Sequence, residues 1–464
     1  MASDLALSVS APAPVADEER MHALLNDVVA AIDQGEHATL RTLLHDLHPA
    51  ETAQILESLP SRQRDVLWDQ IHASAHAGVL AEAEDVVRAE RMEKLEPHQL
   101  AAFAQDIELD DAVDMLQDLP DDVVSDVLDA MDAQNRARLE LILGYDEDSA
   151  GGLMNTDVIT IRPEVSLGVV VRYLRRMGAI PEKTNRLMVI DRDNRLIGVL
   201  RLALLITEHQ DDPVSDHMET RFPGIPVTAS EHEVAQIFER RDLISAAVVD
   251  EQGRLLGRIT VDDVMDVIRE EGERSLMATA GLDEEDDAFE RAIISARRRT
   301  PWLAANLATA LLAAWVIGLF EAALQHVVAL AIMMPVVASM GGIAGSQTLT
   351  VVIRGIALGQ IGSSNARWLM IKELAVGAFN GLLWALVVAG VAIFWFGDTT
   401  LGLIAGTAIV INLVAAAAAG ASIPLILRRL QIDPALAGSV ILTTVTDVVG
   451  FVTFLGLGTL FLLP

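Results

Sequence analysis

The sequence predicts a multidomain membrane protein with an all-α superhelical N-domain, a tandem pair of α/β units and an α-helical transmembrane domain of five spans. Three observations predict it. The first is a split in polarity. The chain has 464 residues, of which 52% are hydrophobic, yet its formal net charge is −32 and its mean hydropathy is +0.37. After Thr300 the acidic residues are Glu321, Glu373, Asp398, Asp433 and Asp447, and the basic ones are Arg354, Arg367, Lys372, Arg428 and Arg429. These five and five cancel, so the whole surplus lies in residues 1–300. A soluble acidic half is therefore joined to an apolar half. The second observation is an internal repeat of an α/β pattern about sixty residues apart. The third is a set of five apolar runs, each long enough to cross a bilayer.

Residues 1–20 read as a disordered tail. Met1 to Val15 has no basic n-region, and Asp4 precedes only a weak apolar stretch, so no signal peptide is predicted. Residues 21–148 form a helical domain of short apolar-periodic runs broken at Leu59-Pro60, Glu96-Pro97 and Leu119-Pro120. The phrase "ELDDAVDMLQDLPDDVVSDVLDAM" has helix spacing and offers Val113, Leu116, Val123 and Val127 to a core. His72 and His76 are four apart, but no Glu adjoins His72 and no third ligand is evident. They are expected to be solvated.

From Gly151 the pattern becomes strand, helix, strand, turn, strand, helix, and it then repeats. Val189-Ile190-Asp191 with Leu196-Ile197-Gly198-Val199 aligns with Val248-Val249-Asp250 and Leu255-Leu256-Gly257-Arg258. The two copies are expected at 149–212 and 213–271, followed by a connecting helix at 272–300 and the membrane domain at 301–464. The spans are expected at about 301–324, 327–352, 374–396, 401–427 and 434–463. Arg297 to Arg299 precede the first, Arg354, Arg367 and Lys372 separate the second from the third, and Arg428 and Arg429 separate the fourth from the fifth. The opposite connections carry Glu321 and Asp398 and no Lys or Arg. The basic side is the cytoplasmic one, which puts the acidic half inside and Pro464 outside.

Two features inside the spans carry chemistry. Asp447 sits mid-way along the fifth run with no basic residue placed to neutralise it. Such a carboxylate is either a hydrogen-bonded structural residue or a cation site. The second run contains Gly341, Gly342 and Gly345, which let another helix or an ion approach closely. The acidic surplus disfavours a nucleic-acid partner, whose phosphates need a basic surface. It suits divalent cations, or else serves only as a solubilising surface. The absence of cysteine removes disulfides, thiolate metal sites and cysteine nucleophiles. No nucleophile–base pair, P-loop or metal-hydrolase spacing is present, so no enzyme is expected.

With these residues in view, the chain resembles the MgtE family of magnesium channels/transporters over nearly its full length. The repeats look like tandem CBS domains. "YDEDSAGGLM" (145–154) looks like the family's junction into the first of them, "RRRTPWLAANLATALLAA" (297–314) like its entry into the membrane, and "DPALAGSVILTTVTDVVGF" (433–451) like its pore-lining fifth helix. The resemblance implies a homodimer in the cell membrane, with a pore along the dimer axis in which Asp447 holds a hydrated Mg2+. Thr443, Gly342 and Ser339 would supply nearby oxygens. Magnesium sheds its waters reluctantly, so a wide ring of carboxylate and backbone oxygens suits it.

The resemblance further implies closure of the pore by cytoplasmic magnesium. That ion would bridge Asp110 and Asp114 of the N-domain, Asp263 and Asp266 of the second repeat, and Glu271 at the start of the connecting helix. It also raises ATP as a ligand at Thr260 and Asp263. Several positions depart from the family pattern. Ile343 and Ser346 stand in the glycine-rich segment, Ser439-Val440 lacks a common proline, and Arg201-Leu202-Ala203-Leu204 replaces the nucleotide motif in the first repeat. Two other functions fit the residues: transport of Co2+, Ni2+ or Mn2+, and a non-conducting CBS sensor anchored in the bilayer.

Overall fold

Proline placement sets the helix starts of the N-terminal region. Pro49 and Pro97 occupy the first turn of their helices, each behind a reciprocal capping box, and Pro60 and Pro120 act as N-caps. A computed structural model describes residues 14–117, 119–181, 183–222, 224–282, 286–362, 364–432 and 434–463. It divides into two units. One runs to Gly272 and includes Asp287–Glu290, and the other holds Glu273–Asp286 and everything from Arg291 onward. Residues 1–13 of the expected tail, Asp433 and the terminal Pro464 lie outside the described residues.

In the first unit, helices α1 (Pro14–Gln34), α2 (His37–Leu44), α3 (Pro49–Glu57), α4 (Ser61–Trp68), α5 (His76–Ala81), α6 (Asp85–Met92), α7 (Pro97–Asp106), α8 (Leu109–Gln117), α9 (Asp121–Ala130) and α10 (Ala133–Leu143) form the N-terminal region. The first of them starts within the stretch expected as a tail. Leu40, Leu56, Leu80, Leu100 and Leu116 are among the fully buried residues of its core. His76 corrects the expectation of a solvated residue: its ring stacks on Trp68 at 4.4 Å, and Nε2 lies 3.3 Å from the Trp68 carbonyl. His72 is used as a cap, its Nδ1 accepting from the Ser74 N–H at 3.3 Å. Arg64 is 2% exposed and donates to Glu90 at 3.1 Å and to Asp287 at 2.7 Å.

The repeat is visible bond by bond. The first copy has β1 (Thr160–Ile161), α11 (Leu167–Met177), β2 (Arg186–Ile190), β3 (Leu196–Arg201), α12 (Leu204–Thr207) and α13 (Val214–His217). The second has β4 (Gly224–Pro226), α14 (Glu231–Arg241), β5 (Ser245–Val249), β6 (Leu255–Thr260) and α15 (Val261–Ala280). Each sheet joins a parallel to an antiparallel pair, with order β1-β2-β3 and β4-β5-β6. The register slips at Val189/Ile190 in one and at Val248/Val249 in the other. The two hairpin turns bond reciprocally, Leu196 N–H to Gly253 carbonyl and Leu255 N–H to Asn194 carbonyl, both at 2.9 Å.

Gly198 and Gly257 are equivalent for one physical reason: each lies under a crossing backbone. A Cβ on Gly198 would sit 2.9 Å from the Glu219 carbonyl oxygen, and one on Gly257 2.8 Å from that of Asn155. Gly257→Ala is therefore expected to destabilise the soluble unit by about 1–3 kcal/mol, the usual range for overpacking. Thermal unfolding of the purified variant checks this, with an exposed Gly272→Ala substitution as the control.

The second unit contains α16 (Ala292–Gly318), α17 (Glu321–His326), α18 (Val328–Ala357), α19 (Ala366–Phe396), α20 (Thr399–Arg429) and α21 (Pro434–Leu462). Five of these, all but α17, have the length and hydropathy of a membrane span. The stretch 272–300 is not one helix: α15 continues across residue 272 to Ala280, and α16 already begins at Ala292. The first span also ends earlier than expected, at Gly318, with the polar-ended α17 beyond it. Helix α20 is the central one, 61% buried over its apolar window against 11–28% for the other four. Its run of Ala and Gly lets neighbouring backbones approach closely. The basic connections share one end of the unit, where Arg428 donates to the Ile361 carbonyl at 3.3 Å. At the other end Asp398 caps α20 through the Thr400 N–H at 2.8 Å.

Candidate metal sites

The first site is assembled on α8 and the start of α15, both within the soluble unit. Glu108 precedes helix α8, which opens Leu109-Asp110-Asp111 and continues through Asp114. Ala112, Val113, Met115 and Leu116 are fully buried. Their burial leaves the aspartates on the opposite side, with Asp110 and Asp114 one turn apart. Helix α15 brings Asp262, Asp263 and Asp266 in its first two turns. The two sets of carboxylates feel each other, and the ionisation of all but Asp262 is opposed.

Burial pushes Asp111 up to about 8, with Asp110, Asp114 and Glu108 adding repulsion. Asp114 also rises to about 8, through burial and the charges of Asp110 and Asp263, against the pull of Arg88. Asp263 reaches about 8 from burial and the charges of Asp110 and Asp262. Asp110, 5% exposed, is raised by burial even though Asn155 Nδ2 donates to its two oxygens at 3.2 and 3.3 Å. Glu108 and Asp266 are raised as well, burial again being the largest cause. Cations meet only part of this charge. Asp262 is held low, against its burial, by the Lys183 ammonium and the Thr260 hydroxyl. Among the described residues these carboxylates do not bring three ligand atoms within 4.8 Å of one another; what they share is mutual repulsion, which a hard divalent cation would relieve by supplying positive charge.

Of the five regulatory residues expected from the sequence, Asp110, Asp114 and Asp263 repel one another's charge, and Asp266 feels that of Asp262. Glu271 does not join them: its Oε1 lies 2.8 Å from His232 Nδ1. Its neighbour Glu270 is pushed up to about 7 by burial and the charges of Asp85 and Asp266. Sequence reasoning passed over Glu108, Asp111, Asp262 and Glu270. The dense run "ELDD" was the available signal for the first two. The nucleotide positions are occupied by each other. Thr260 is 2% exposed, and its N–H and hydroxyl both lie 3.0 Å from Asp263 Oδ2.

A separate trio, Glu208, Asp212 and His217, presents ligand atoms within 4.8 Å of one another on the first repeat. His217 Nε2 is 3.1 Å from Asp212 Oδ2, and Glu208 is exposed.

The second site lies in the membrane unit. Asp447 is half-buried on α21, and among the described residues no hydrogen bond or ion pair reaches its carboxylate. Helices α18 and α21 run antiparallel, as three contacts fix. A Cβ on Gly458 would meet Leu330 at 2.9 Å, one on Gly345 would meet Leu442 at 2.9 Å, and one on Gly438 would meet Leu349 at 3.2 Å. This register sets Asp447 at the level of residues 339–342 of α18. Ser339 and Thr443 are exposed, and a Cβ on Gly342 would meet nothing within 4 Å. The three expected oxygen donors thus lie on surface that the unit leaves open. Gly341 and Gly345 differ from Gly342, since both are packed against other helices.

The membrane unit holds two further polar groups that the sequence reading passed over. Glu373 is 4% exposed, 2.5 Å from Lys372 Nζ, and accepts from the Thr348 hydroxyl at 3.2 Å. Asn412, fully buried on α20, donates to the Val337 carbonyl at 2.9 Å.

Comparison with known proteins finds matches along most of the chain. Residues 47–148 match the MgtE intracellular N domain, 150–208 and 214–270 match CBS domains, and 334–457 match MgtE, described as a divalent cation transporter. The chain is 30% identical over 450 residues to the magnesium transporter MgtE of Thermus thermophilus, covering 96% of this chain and 99% of that protein. It is 28% identical over 439 residues to the magnesium transporter MgtE of Bacillus subtilis, covering 95% and 97%. A solved structure of the cytosolic domain of the Mg2+ channel MgtE in complex with ATP is 31% identical. It covers 52% of this chain and 99% of that one, with a TM-score of 0.48.

Proposed function

Because the chain belongs to the MgtE family of divalent cation transporters, we propose that it carries magnesium across the cytoplasmic membrane, with Asp447 holding the hydrated ion in the pore. One observation carries this reading: a chain related along nearly its whole length to two magnesium transporters has an unpartnered carboxylate mid-way along a membrane span. The soluble unit is cytoplasmic and the C-terminus lies outside, by the placement of the basic connections. A homodimer supplies two Asp447 carboxylates, and the open faces bearing Thr443, Ser339 and Gly342 line the path between them.

The acidic cluster is the sensor in this reading. Cytoplasmic magnesium is held by Asp110, Asp111, Asp114 and Asp263, with Asp266 at the edge, and closes the pore. Without the ion the carboxylates repel and the arrangement loosens, so the ion itself decides which state is populated. Glu271 stays paired with His232, and Glu270 takes the role that the sequence assigned to its neighbour. ATP has a place only at Thr260 and Asp263, where a ribose would have to replace their mutual hydrogen bonds.

A second cargo, Co2+, Ni2+ or Mn2+, is favoured only by Ile343, an apolar side chain 56% exposed beside Gly342. A non-conducting sensor would leave Asp447 without a role, and the same holds for an enzymatic reading. Uptake of labelled cobalt into magnesium-starved cells separates the cargoes. Excess magnesium is expected to suppress uptake of the labelled ion. Failure to compete would sink the magnesium assignment.

A further inference from the structure

Asn412 is a polar side chain in the most buried helix of the membrane unit, with no exposed surface at all. Its Nδ2 donates to the Val337 carbonyl of α18 at 2.9 Å, while its Oδ1 has no hydrogen-bond partner among the described residues. In a span, leaving such an acceptor unpaired is expensive, so a residue kept there has a reason beyond packing.

Two glycines make room for it. A Cβ on Gly341 of α18 would lie 2.2 Å from Asn412 Nδ2, and one on Gly450 of α21 would lie 2.8 Å from the same atom. The amide is therefore wedged between α18 and α21, where each helix gives up its side chain. Gly341 adjoins Gly342, and Gly450 is one turn from Asp447. Leucine, nearly the same volume, would fill the space without the bond to Val337. Alanine would fill it only in part.

We propose that Asn412 is a positioning residue for the pore: its amide sets the spacing of α18 and α21 at the level of Asp447 and so sets which hydrated cation fits. This rests on the reading of Asp447 as the pore site. Asn412 touches no ion in this account and acts through the two helix backbones. A displacement of a fraction of an ångström between ion-holding groups is enough to change which ion they hold.

The test is flux of magnesium and, separately, of manganese into vesicles containing the purified full chain. Half-saturating concentrations are compared for wild type, Asn412→Leu, Asn412→Ala, Gly341→Ala and Asp447→Ala. Asn412→Leu and Gly341→Ala are each expected to shift the magnesium-to-manganese ratio by about tenfold, with maximal flux changing less. The double variant Asn412→Ala/Gly341→Ala, in which the added methyl no longer meets the amide, is expected to lie closer to wild type than Gly341→Ala alone.

A merely structural Asn412 would lower the amount of folded protein or its maximal flux and leave the ratio alone. That result in any folded single variant of Asn412 or Gly341 overturns the proposal. Should both Asn412 variants fail to fold, Gly341→Ala alone decides, because it keeps the asparagine and only displaces it. Asp447→Ala separates the two readings. If it conducts like wild type, the pore assignment itself is wrong. If it does not conduct while the Asn412 and Gly341 variants keep the wild-type ratio, only the positioning role fails.

Discussion

Asp447→Ala is expected to lower magnesium uptake by about a hundredfold or more while the protein inserts in the membrane at least as well as wild type. A carboxylate at mid-bilayer costs roughly 2.5–3.5 kcal/mol on insertion scales, and among the described residues no hydrogen bond or ion pair offsets it. A cation that recovers this energy binds with a gain equivalent to about two decades, at 1.4 kcal/mol per decade. Removing the carboxylate removes the gain and eases insertion, so lost uptake cannot be put down to poor folding. Uptake per unit of membrane-inserted protein in magnesium-starved cells is the measurement. Thr443→Ala, which removes a hydroxyl already bonded to the Ser439 carbonyl at 2.9 Å, is expected to have a much smaller effect.

Neutralising the acidic cluster has the second largest effect. Magnesium is expected to protect the amides of α8 and α15 in hydrogen exchange, and Asp114→Asn or Asp263→Asn to abolish most of that protection. A ligand at a hundred times its dissociation constant stabilises its site by about 2.7 kcal/mol, and that increment is what each variant loses.

The pH dependence has a definite sign. Burial and mutual repulsion raise Asp111, Asp114 and Asp263 to about 8 in the folded protein, far above an ordinary aspartate at roughly 3.9. Groups raised on folding contribute stability that is complete below the unfolded value and lost as pH rises through the folded one. Without divalent ions the cluster is therefore expected to loosen between about pH 4 and pH 8. Magnesium must displace the same protons, so its apparent affinity rises over that range. Affinity that fell with pH would contradict the assignment of these carboxylates as ligands.

Much of the fold was legible because its causes are local. Proline at helix starts, period-two strands and runs of apolar residues are written within a few positions of where they act. The repeat was legible because Gly198 and Gly257 recur with their flanking residues, and each meets a crossing backbone. Asp447 stood out because an unneutralised carboxylate in an apolar run has few explanations.

Asn412 was not legible in this way. An amide in a span is unremarkable until Gly341 and Gly450, far away in sequence, are seen to clear space for it. Asp111 and Glu270 were missed for a related reason. Which carboxylate of an acidic run faces another is decided by helix phase and by partners such as His232, and neither is encoded in the run itself. The connecting helix expected at 272–300 is not continuous. The break between Ala280 and Ala292 depends on Gly281 at φ +71°, where a Cβ would lie 1.7 Å from Trp302 Nε1.

The most direct test is magnesium flux through the purified full-length protein in vesicles, measured while magnesium is raised on the side that carries the soluble unit. Flux is expected at low magnesium on that side, falling steeply as the acidic cluster fills. Absence of flux at low magnesium, or flux indifferent to magnesium on that side, would contradict a magnesium pore governed by its own acidic half.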